Sequence, residues 1–230
     1  MKRILAFTAA LILLGAFAAS CRAVAVRTLA PPSTEAPPVP PVFRDRPMTV
    51  LVRGWLWDAS TRNRAAGPVR IFPEKVKGLL EDDHGMSTEF FDYAWSRLPR
   101  DVFEESERFN TWARELTRRA ERSGTCVNFL GHSAGAAFVY RAATQGVSMG
   151  YMGTLGLPTF GAERPSNVAV WANFYTSTHA DDAAGWLWAR QMAADVNVDL
   201  EERHRSFWHS DEVIDRTAEG IARSWDTCRS

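Results

Sequence analysis

The sequence predicts an α/β domain with a mostly parallel central sheet and helices on both faces. Two observations lead to this fold class. Strand-like and helix-like segments alternate along most of the chain from residue 48 onward, and the strand-like segments are continuous apolar runs. Continuous apolar runs are typical of strands buried on both sides, as in a parallel sheet that lies between two layers of helices.

The first half of the domain is expected to contain two strands and two helices. MTVLVRGW (48–55) is β-branched and apolar, and STEFFDYAWS (87–96) is rich in aromatic residues, so both are predicted strands. Pro73 suits the first turn of a helix over FPEKVKGLLEDD (72–83). Apolar residues recur on one face from Val102 to Arg122, which predicts an amphipathic helix.

The second half continues the alternation. The predicted strands are TCVNFL (125–130), YMGTLGLP (151–158), VAVWANFY (168–175) and the short VNVDL (196–200). A helix is predicted over AGAAFVYRAA (134–143). The last helix is SDEVIDRTAEGIARSW (210–225), where Ser210 is a suitable cap and two acidic residues favour the N-terminal end of the helix dipole.

The residues before the domain predict export. Lys2 and Arg3 precede an uncharged apolar run, so residues 1–20 are interpreted as a signal peptide, with a retained membrane anchor as the alternative. The segment AASC, which ends at Cys21, resembles the lipobox of bacterial lipoproteins. That resemblance implies lipidation of Cys21 and anchoring to the membrane of the cell envelope. Ordinary cleavage, giving a soluble periplasmic or secreted protein, is the alternative.

Composition limits the remaining possibilities. Residues 21–47 are crowded with proline and are interpreted as a semi-rigid tether, and residues 48–230 as the domain. The 27 basic and 27 acidic residues balance, which indicates no nucleic-acid partner. Cys126 lies in an apolar run and is interpreted as a small buried residue; a disulfide to Cys228 is permitted in an oxidising compartment, but nothing in the sequence shows one.

The junction LGHSAGA (130–136) is the feature that points to chemistry. Ser133 stands between Gly131 and Gly135, where a predicted strand gives way to a predicted helix. A sharp turn of this kind strains the serine backbone, and side chains two residues away on either side would clash. The turn raises the hydroxyl into the open beside a helix N-terminus, where backbone N–H groups stabilise a developing oxyanion.

VNFLGHSAGAAFVYRAA (127–143) resembles the nucleophile elbow of serine esterases and lipases with the α/β-hydrolase fold. The order of strands and helices is also similar from Met48 onward. The resemblance implies a compact domain with little or no cap, and hydrolysis of carboxylic esters through an acyl-enzyme on Ser133. It implies a small-molecule or lipid ester as substrate, and neither a cofactor nor a metal.

The same resemblance implies the partners of the serine, which follow it in the order acid, then histidine. The implied base is His204, with His209 as the second choice, because HRSFWHSDEVID (204–215) resembles the family's final loop. The implied acid is Asp182, with Asp181 as the second choice. His132 adjoins the serine, and its side chain is expected to point away from it.

The implied oxyanion hole consists of the backbone N–H groups of Trp55 and Ala134. The family commonly has His-Gly before the first of these donors, whereas this chain has Arg53 and Gly54. Two alternatives with the same fold stay open. One is an acyltransferase, in which another acceptor replaces water, and the other is a catalytically inactive scaffold tethered to the envelope. Four tryptophans near the implied site are candidates for lining it: Trp55, Trp57, Trp186 and Trp188.

Overall fold

A computed structural model describes most of the predicted domain. The described residues are 36–53, 68–93, 102–158, 161–177, 191, 193–202 and 204–229, with the backbone alone for 68–70, 204 and 205. The predicted signal peptide, Cys21 and the first part of the proline-rich segment therefore lie outside the described residues. No helix within the described ranges is long and apolar enough to cross a membrane.

Strands and helices follow each other as the sequence predicts. The strands are β1 (Met48–Val52), β2 (Glu89–Tyr93), β3 (Val127–His132), β4 (Met149–Leu155), β5 (Val168–Tyr175) and β6 (Val196–Asp199). The helices are α1 (Pro68–His84), α2 (Val102–Ser123), α3 (Ala134–Thr144) and α4 (Asp211–Arg229), and a short 3₁₀ helix (His204–His209) precedes α4.

Several boundaries differ from the prediction by two to four residues, and the start of α1 is one of them. Helix α1 begins at Pro68, so Pro73 lies inside the helix and not in its first turn. The physical reason is that Pro68 itself has the fixed φ that suits a helix start, and it lacks an N–H that would be unpaired there.

The described strands form one parallel sheet in the order β2-β1-β3-β4-β5-β6, and every neighbouring pair is parallel. Helices α2 and α3 pack against each other on one face, while α1, α4 and the 3₁₀ helix pack together on the other. The predicted fold class, an α/β domain with a parallel sheet between helices, is confirmed. Since all strands run the same way, their carboxyl ends lie at the same end of the sheet.

Each face of the sheet has its own hydrophobic core. Along β3, Phe129 belongs to the core beneath α2 and α3, and Leu130 belongs to the core beneath α1 and α4. Successive side chains of a strand point to opposite faces, so an unbroken apolar run serves both cores at once. Burying one such large side chain stabilises the fold by about 1.5–3 kcal/mol.

The proline-rich segment contacts the domain in its later part. Ala36, Val39 and Val42 are half-buried and pack against the core beneath α2 and α3. Phe43 remains partly exposed, with the Arg46 guanidinium 4.7 Å from its ring centroid. Apolar residues between the prolines therefore bury surface against the domain, at the side where the strands begin.

Candidate active site

Ser133 lies at the turn between β3 and α3, with φ 56° and ψ −121°. It is the one non-glycine residue with positive φ in the described part of the chain. A non-glycine residue held in such a sparsely populated region costs about 1–3 kcal/mol, and it persists only where the surrounding structure enforces it. The strained turn expected from the sequence is therefore present.

Two glycines make this turn possible. A Cβ on Gly131 would lie 2.5 Å from the carbonyl oxygen of Gly135. A Cβ on Gly135 would lie 2.2 Å from the carbonyl oxygen of Val52 and 2.6 Å from that of Arg53. These atoms belong to the backbone and cannot rotate away, so both positions exclude every side chain. The steric reason inferred from the spacing of the two glycines is confirmed.

The backbone of Ser133 is fixed on both sides. Its N–H donates to the Leu155 carbonyl at 2.8 Å, and its own carbonyl accepts from the N–H of Ala136 at 2.9 Å. The side chain makes no capping hydrogen bond to α3 and is partly exposed. Ala134 begins the helix, and the first four N–H groups of a helix have no acceptor within it. A partly exposed hydroxyl thus stands beside backbone donors.

His132 is buried on the opposite side of β3 from the glycines. Its ring centroid lies 6.3 Å from that of Phe207 and 5.9 Å from that of Trp208, both in the 3₁₀ helix. The side chain thus packs into the core beneath α4, as expected for a residue adjoining the serine. The contact has a second consequence, since it brings the segment with both candidate histidines next to the strand that carries Ser133.

The two candidate histidines are described to different extents. The backbone of His204 opens the 3₁₀ helix, and its side chain lies outside the described part of the structure. His209 ends the same short helix, and its side chain is exposed. The choice between them as base stays a prediction.

Both candidate acids, Asp181 and Asp182, lie outside the described residues. The residues that flank their segment are held by β6. Asp199 accepts hydrogen bonds from the N–H of Ser177 at 2.8 Å and from its hydroxyl at 2.5 Å. Asn197 accepts from the N–H of Gln191 at 3.0 Å and donates to its carbonyl at 3.0 Å. The chain thus leaves β5 and returns to β6 at anchored points.

Trp55, one of the two implied oxyanion donors, also lies outside the described residues, as do Trp57, Trp186 and Trp188. The described neighbour is Arg53, where the chain departs from the family's histidine. Its Nε donates to Asp92 Oδ1 at 2.9 Å, and its Nη2 bonds the second carboxylate oxygen. This two-point ion pair joins the chain after β1 to the penultimate residue of β2, beside the Arg53 carbonyl that faces Gly135.

Sequence reasoning missed two polar residues at this edge of the sheet. Asp92 binds Arg53, and Asp199 binds Ser177. Asp199 had a sequence signal, since it lies next to the end of its predicted strand (196–200), where parallel strands end. Asp92 had none, because its predicted strand (87–96) continues beyond it, whereas β2 ends at Tyr93. No group of three or more potential metal ligands exists among the described residues.

Comparison with known proteins adds no assignment. No family model matches the sequence, and no curated protein matches it. The site is therefore interpreted from its own geometry.

Proposed function

We propose that this protein is a serine hydrolase of the α/β-hydrolase class that cleaves carboxylic esters through an acyl-enzyme on Ser133. The observation that carries the proposal is the strained backbone of Ser133, with φ 56°. Glycine would adopt this conformation without strain, so the cost is justified by a use for the hydroxyl. The use that fits a partly exposed hydroxyl at a helix N-terminus is nucleophilic attack.

Strand order supports the proposal independently. Ser133 follows β3, Arg53 follows β1, and the segments with the candidate acids and histidines follow β5 and β6. In the sheet β1 adjoins β3, one strand separates β3 from β5, and β5 adjoins β6. All four strands are parallel, so the chain after each of them leaves the sheet at the same end. The segments that contain the proposed nucleophile, oxyanion donors, acid and base thus leave the sheet at one end.

The proposed reaction has two halves. The Ser133 oxygen attacks the ester carbonyl while its proton passes to the imidazole of His204, or of His209 as the alternative. N–H groups of Ala134 and Trp55 stabilise the oxyanion, and Asp182, or alternatively Asp181, stabilises the imidazolium. The imidazolium then donates its proton to the leaving oxygen, and the alcohol departs. Water attacks the acyl-enzyme by the same proton route, which releases the acid and restores the serine.

The Arg53–Asp92 ion pair supports this assignment at the departure from the family pattern. A backbone N–H donor needs a fixed loop and not a particular side chain. The pair holds the chain directly before Gly54 at two points. We infer that Arg53 and Asp92 are positioning residues for the loop that contains Trp55.

A fluorophosphonate probe and p-nitrophenyl esters of short and long acyl chains test the proposal. We expect Ser133→Ala to abolish labelling and to lower kcat by at least about 10³-fold. Ser148→Ala is the matched control, because Ser148 is exposed and directly precedes β4, at the end of the sheet where the strands begin. It should label and turn over like the wild type.

Two results would contradict the proposal: a wild-type protein that does not label, which favours an inert scaffold, or labelling that persists in Ser133→Ala. Turnover in the presence of added alcohols separates hydrolysis from acyl transfer, since a transferase gives a new ester in place of the acid. His204→Ala and His209→Ala, assayed side by side, identify the base.

We further propose that the protein is exported and anchored to the membrane of the cell envelope by a lipid on Cys21. The support is the sequence of residues 1–21 alone. Mass spectrometry of the protein made in a bacterial host tests it: a diacylglyceryl mass on an N-terminal Cys21 is expected. Loss of membrane association in Cys21→Ser should accompany it, and an unmodified soluble chain would contradict the anchor.

A further inference from the structure

Two cysteines about a hundred residues apart in sequence meet beneath α4. Cys126 directly precedes β3, and Cys228 lies in the last turn of α4. Their Sγ atoms lie 3.1 Å and 3.2 Å from the point that a Cβ on Gly150 would occupy. The two thiols are not joined by a disulfide. Both sulfurs therefore lie beside Gly150 and within reach of each other.

The meeting follows from how α4 runs along β3. One helical turn before Cys228, the hydroxyl of Ser224 lies 3.2 Å from Asn128 Oδ1. Four helical residues rise about 6 Å, and two strand residues rise about 6.6 Å. A step from Ser224 to Cys228 is thus matched by a step from Asn128 to Cys126. The thiol pair therefore lies one step along the same helix–strand contact as Ser224 and Asn128.

Glycines let the helix approach the sheet at this place. A Cβ on Gly220 would lie 2.3 Å from Tyr151 Cε2, and a Cβ on Gly150 would crowd both sulfurs, at 3.1 Å and 3.2 Å. Disulfides need Cβ atoms about 3.5–4.5 Å apart, which only a close approach of helix and strand provides. Two positions without side chains supply that approach.

The two thiols differ in access and in acidity. Cys228 is half-buried, and the hydrogen bond from Cys126 lowers the pKa of its thiol. Cys126 is buried, and its pKa is raised by the same hydrogen bond and by loss of solvent. Cys228 is therefore the more accessible and the more acidic of the two thiols, which makes it the first to react with an external reagent, and Cys126 is placed to respond second.

We propose that Cys126 and Cys228 form an intramolecular disulfide when the protein meets a disulfide-bearing oxidant, and that this bond fastens α4 to β3. The proposal assigns a chemical role to the two cysteines that the catalytic site does not use. It is independent of the proposed hydrolase, because the pair lies at the amino end of β3 and Ser133 follows its carboxyl end.

The exchange proceeds in two balanced steps. The Cys228 thiolate attacks one sulfur of the oxidant, which forms a mixed disulfide and releases the first thiolate of the oxidant. Cys126 then loses its proton and attacks Sγ of Cys228, which forms the Sγ–Sγ bond and releases the second thiolate. The proton that Cys228 lost when its thiolate formed and the proton from Cys126 end on the two released thiols, so one protein disulfide replaces the disulfide of the oxidant.

Peptide mapping of the full chain tests the bond directly. After exposure to oxidised glutathione and blocking of free thiols, trypsin should yield residues 123–141 joined to residues 224–229. The joined mass should fall apart into these two peptides on reduction with dithiothreitol. Both peptides recovered singly and blocked, from protein that keeps its native circular dichroism, would overturn the proposal. Linkage of either cysteine to Cys21 would overturn it as well.

Thermal unfolding tests whether the disulfide stabilises the fold by joining α4 to β3. The oxidised wild type should unfold about 5–10 °C above the reduced form, because the bond closes a loop of about a hundred residues. Cys228→Ser should show the same Tm with and without oxidant, and Cys126→Ala should do so too. An oxidised wild type with the Tm of the reduced form would contradict the role of the bond.

Discussion

At the scale of the residue, Ser133 carries a conflict between backbone and side chain. Its backbone occupies a region that suits glycine, with φ 56° and ψ −121°, while the proposed chemistry needs a hydroxyl. Hydrogen bonds from Ser133 to Leu155 and from Ala136 to Ser133 hold the backbone in place. The strain at this residue is therefore maintained by β4 on one side and by α3 on the other.

This conflict predicts opposite effects of one substitution on stability and on activity. Ser133→Gly should abolish ester turnover and should be more stable than Ser133→Ala by about 1 kcal/mol, because glycine relieves the strained φ. Urea unfolding of both variants measures the difference in the free energy of unfolding. Both lack the hydroxyl, so they differ only in the Cβ. An alanine variant as stable as the glycine variant would show that the turn carries no strain.

The sequence predicted the turn at Ser133 but did not predict every contact near it. The spacing of Gly131 and Gly135 around Ser133 is local, so the strand-to-helix turn could be predicted from three positions. The Arg53–Asp92 pair spans 39 residues and exists only because β1 and β2 pair in parallel with Val52 opposite Tyr93. A contact that depends on strand register has no short-range signature.

At the scale of the element, α3 packs against the end of β1 with no room for a side chain. Gly135 in the first turn of α3 meets the carbonyl oxygens of Val52 and Arg53. The contact fixes where the helix N-terminus lies relative to the chain after β1. Those two elements supply the two proposed oxyanion donors, so their spacing bears directly on the proposed site.

Gly135→Ala should therefore destabilise the fold by at least about 1–3 kcal/mol, since its Cβ would have to displace backbone atoms. Gly78→Ala is the matched control, because Gly78 lies inside α1 with nothing within 4 Å of its Cβ position. It should stabilise by about 0.5–1 kcal/mol from helix propensity alone. Urea midpoints of the two variants check the contrast, and a neutral Gly135→Ala would contradict the packing.

The prediction from the sequence was most complete for the helices and strands. Helix α2 was predicted from 102 to 122 and spans Val102–Ser123, because its apolar stripe is continuous and its end is marked by Gly124. Helix α1 was predicted too short at its start, because Pro68 and Pro73 are equally good local signals.

At the scale of the whole molecule, each face of the sheet buries one tyrosine completely. Tyr93 belongs to the core beneath α2 and α3, and Tyr151 to the core beneath α1 and α4. Burial raises the pKa of both phenols well above the ordinary value of 10.0, and Glu105 beside Tyr93 raises its pKa further. Both cores therefore exclude the tyrosinate form.

This predicts a loss of stability in alkali. A raised folded-state pKa leaves stability intact below the unfolded value, near 10.0, and removes it as the pH rises toward the folded value. Each tyrosine should add a slope of about −1.4 kcal/mol per pH unit above that point. Urea unfolding at a series of pH values measures the slope.

Tyr151→Phe serves as the control for this slope. The variant should lose about half of the alkaline slope, whatever its stability at neutral pH, because only Tyr93 then remains as a buried phenol. An unchanged slope in the variant would contradict the contribution of Tyr151, and a flat profile in the wild type would contradict both.

The sequence by itself determined the layers of this protein and the position of its candidate nucleophile. Apolar runs, helical stripes and glycine spacing are local patterns, and they act through local sterics and burial. The tertiary structure alone decided that Asp92 meets Arg53, that Asp199 holds Ser177 and that Cys126 faces Cys228. Those pairs join residues far apart in the chain, so only the parallel register and the packing of α4 on the sheet bring them together.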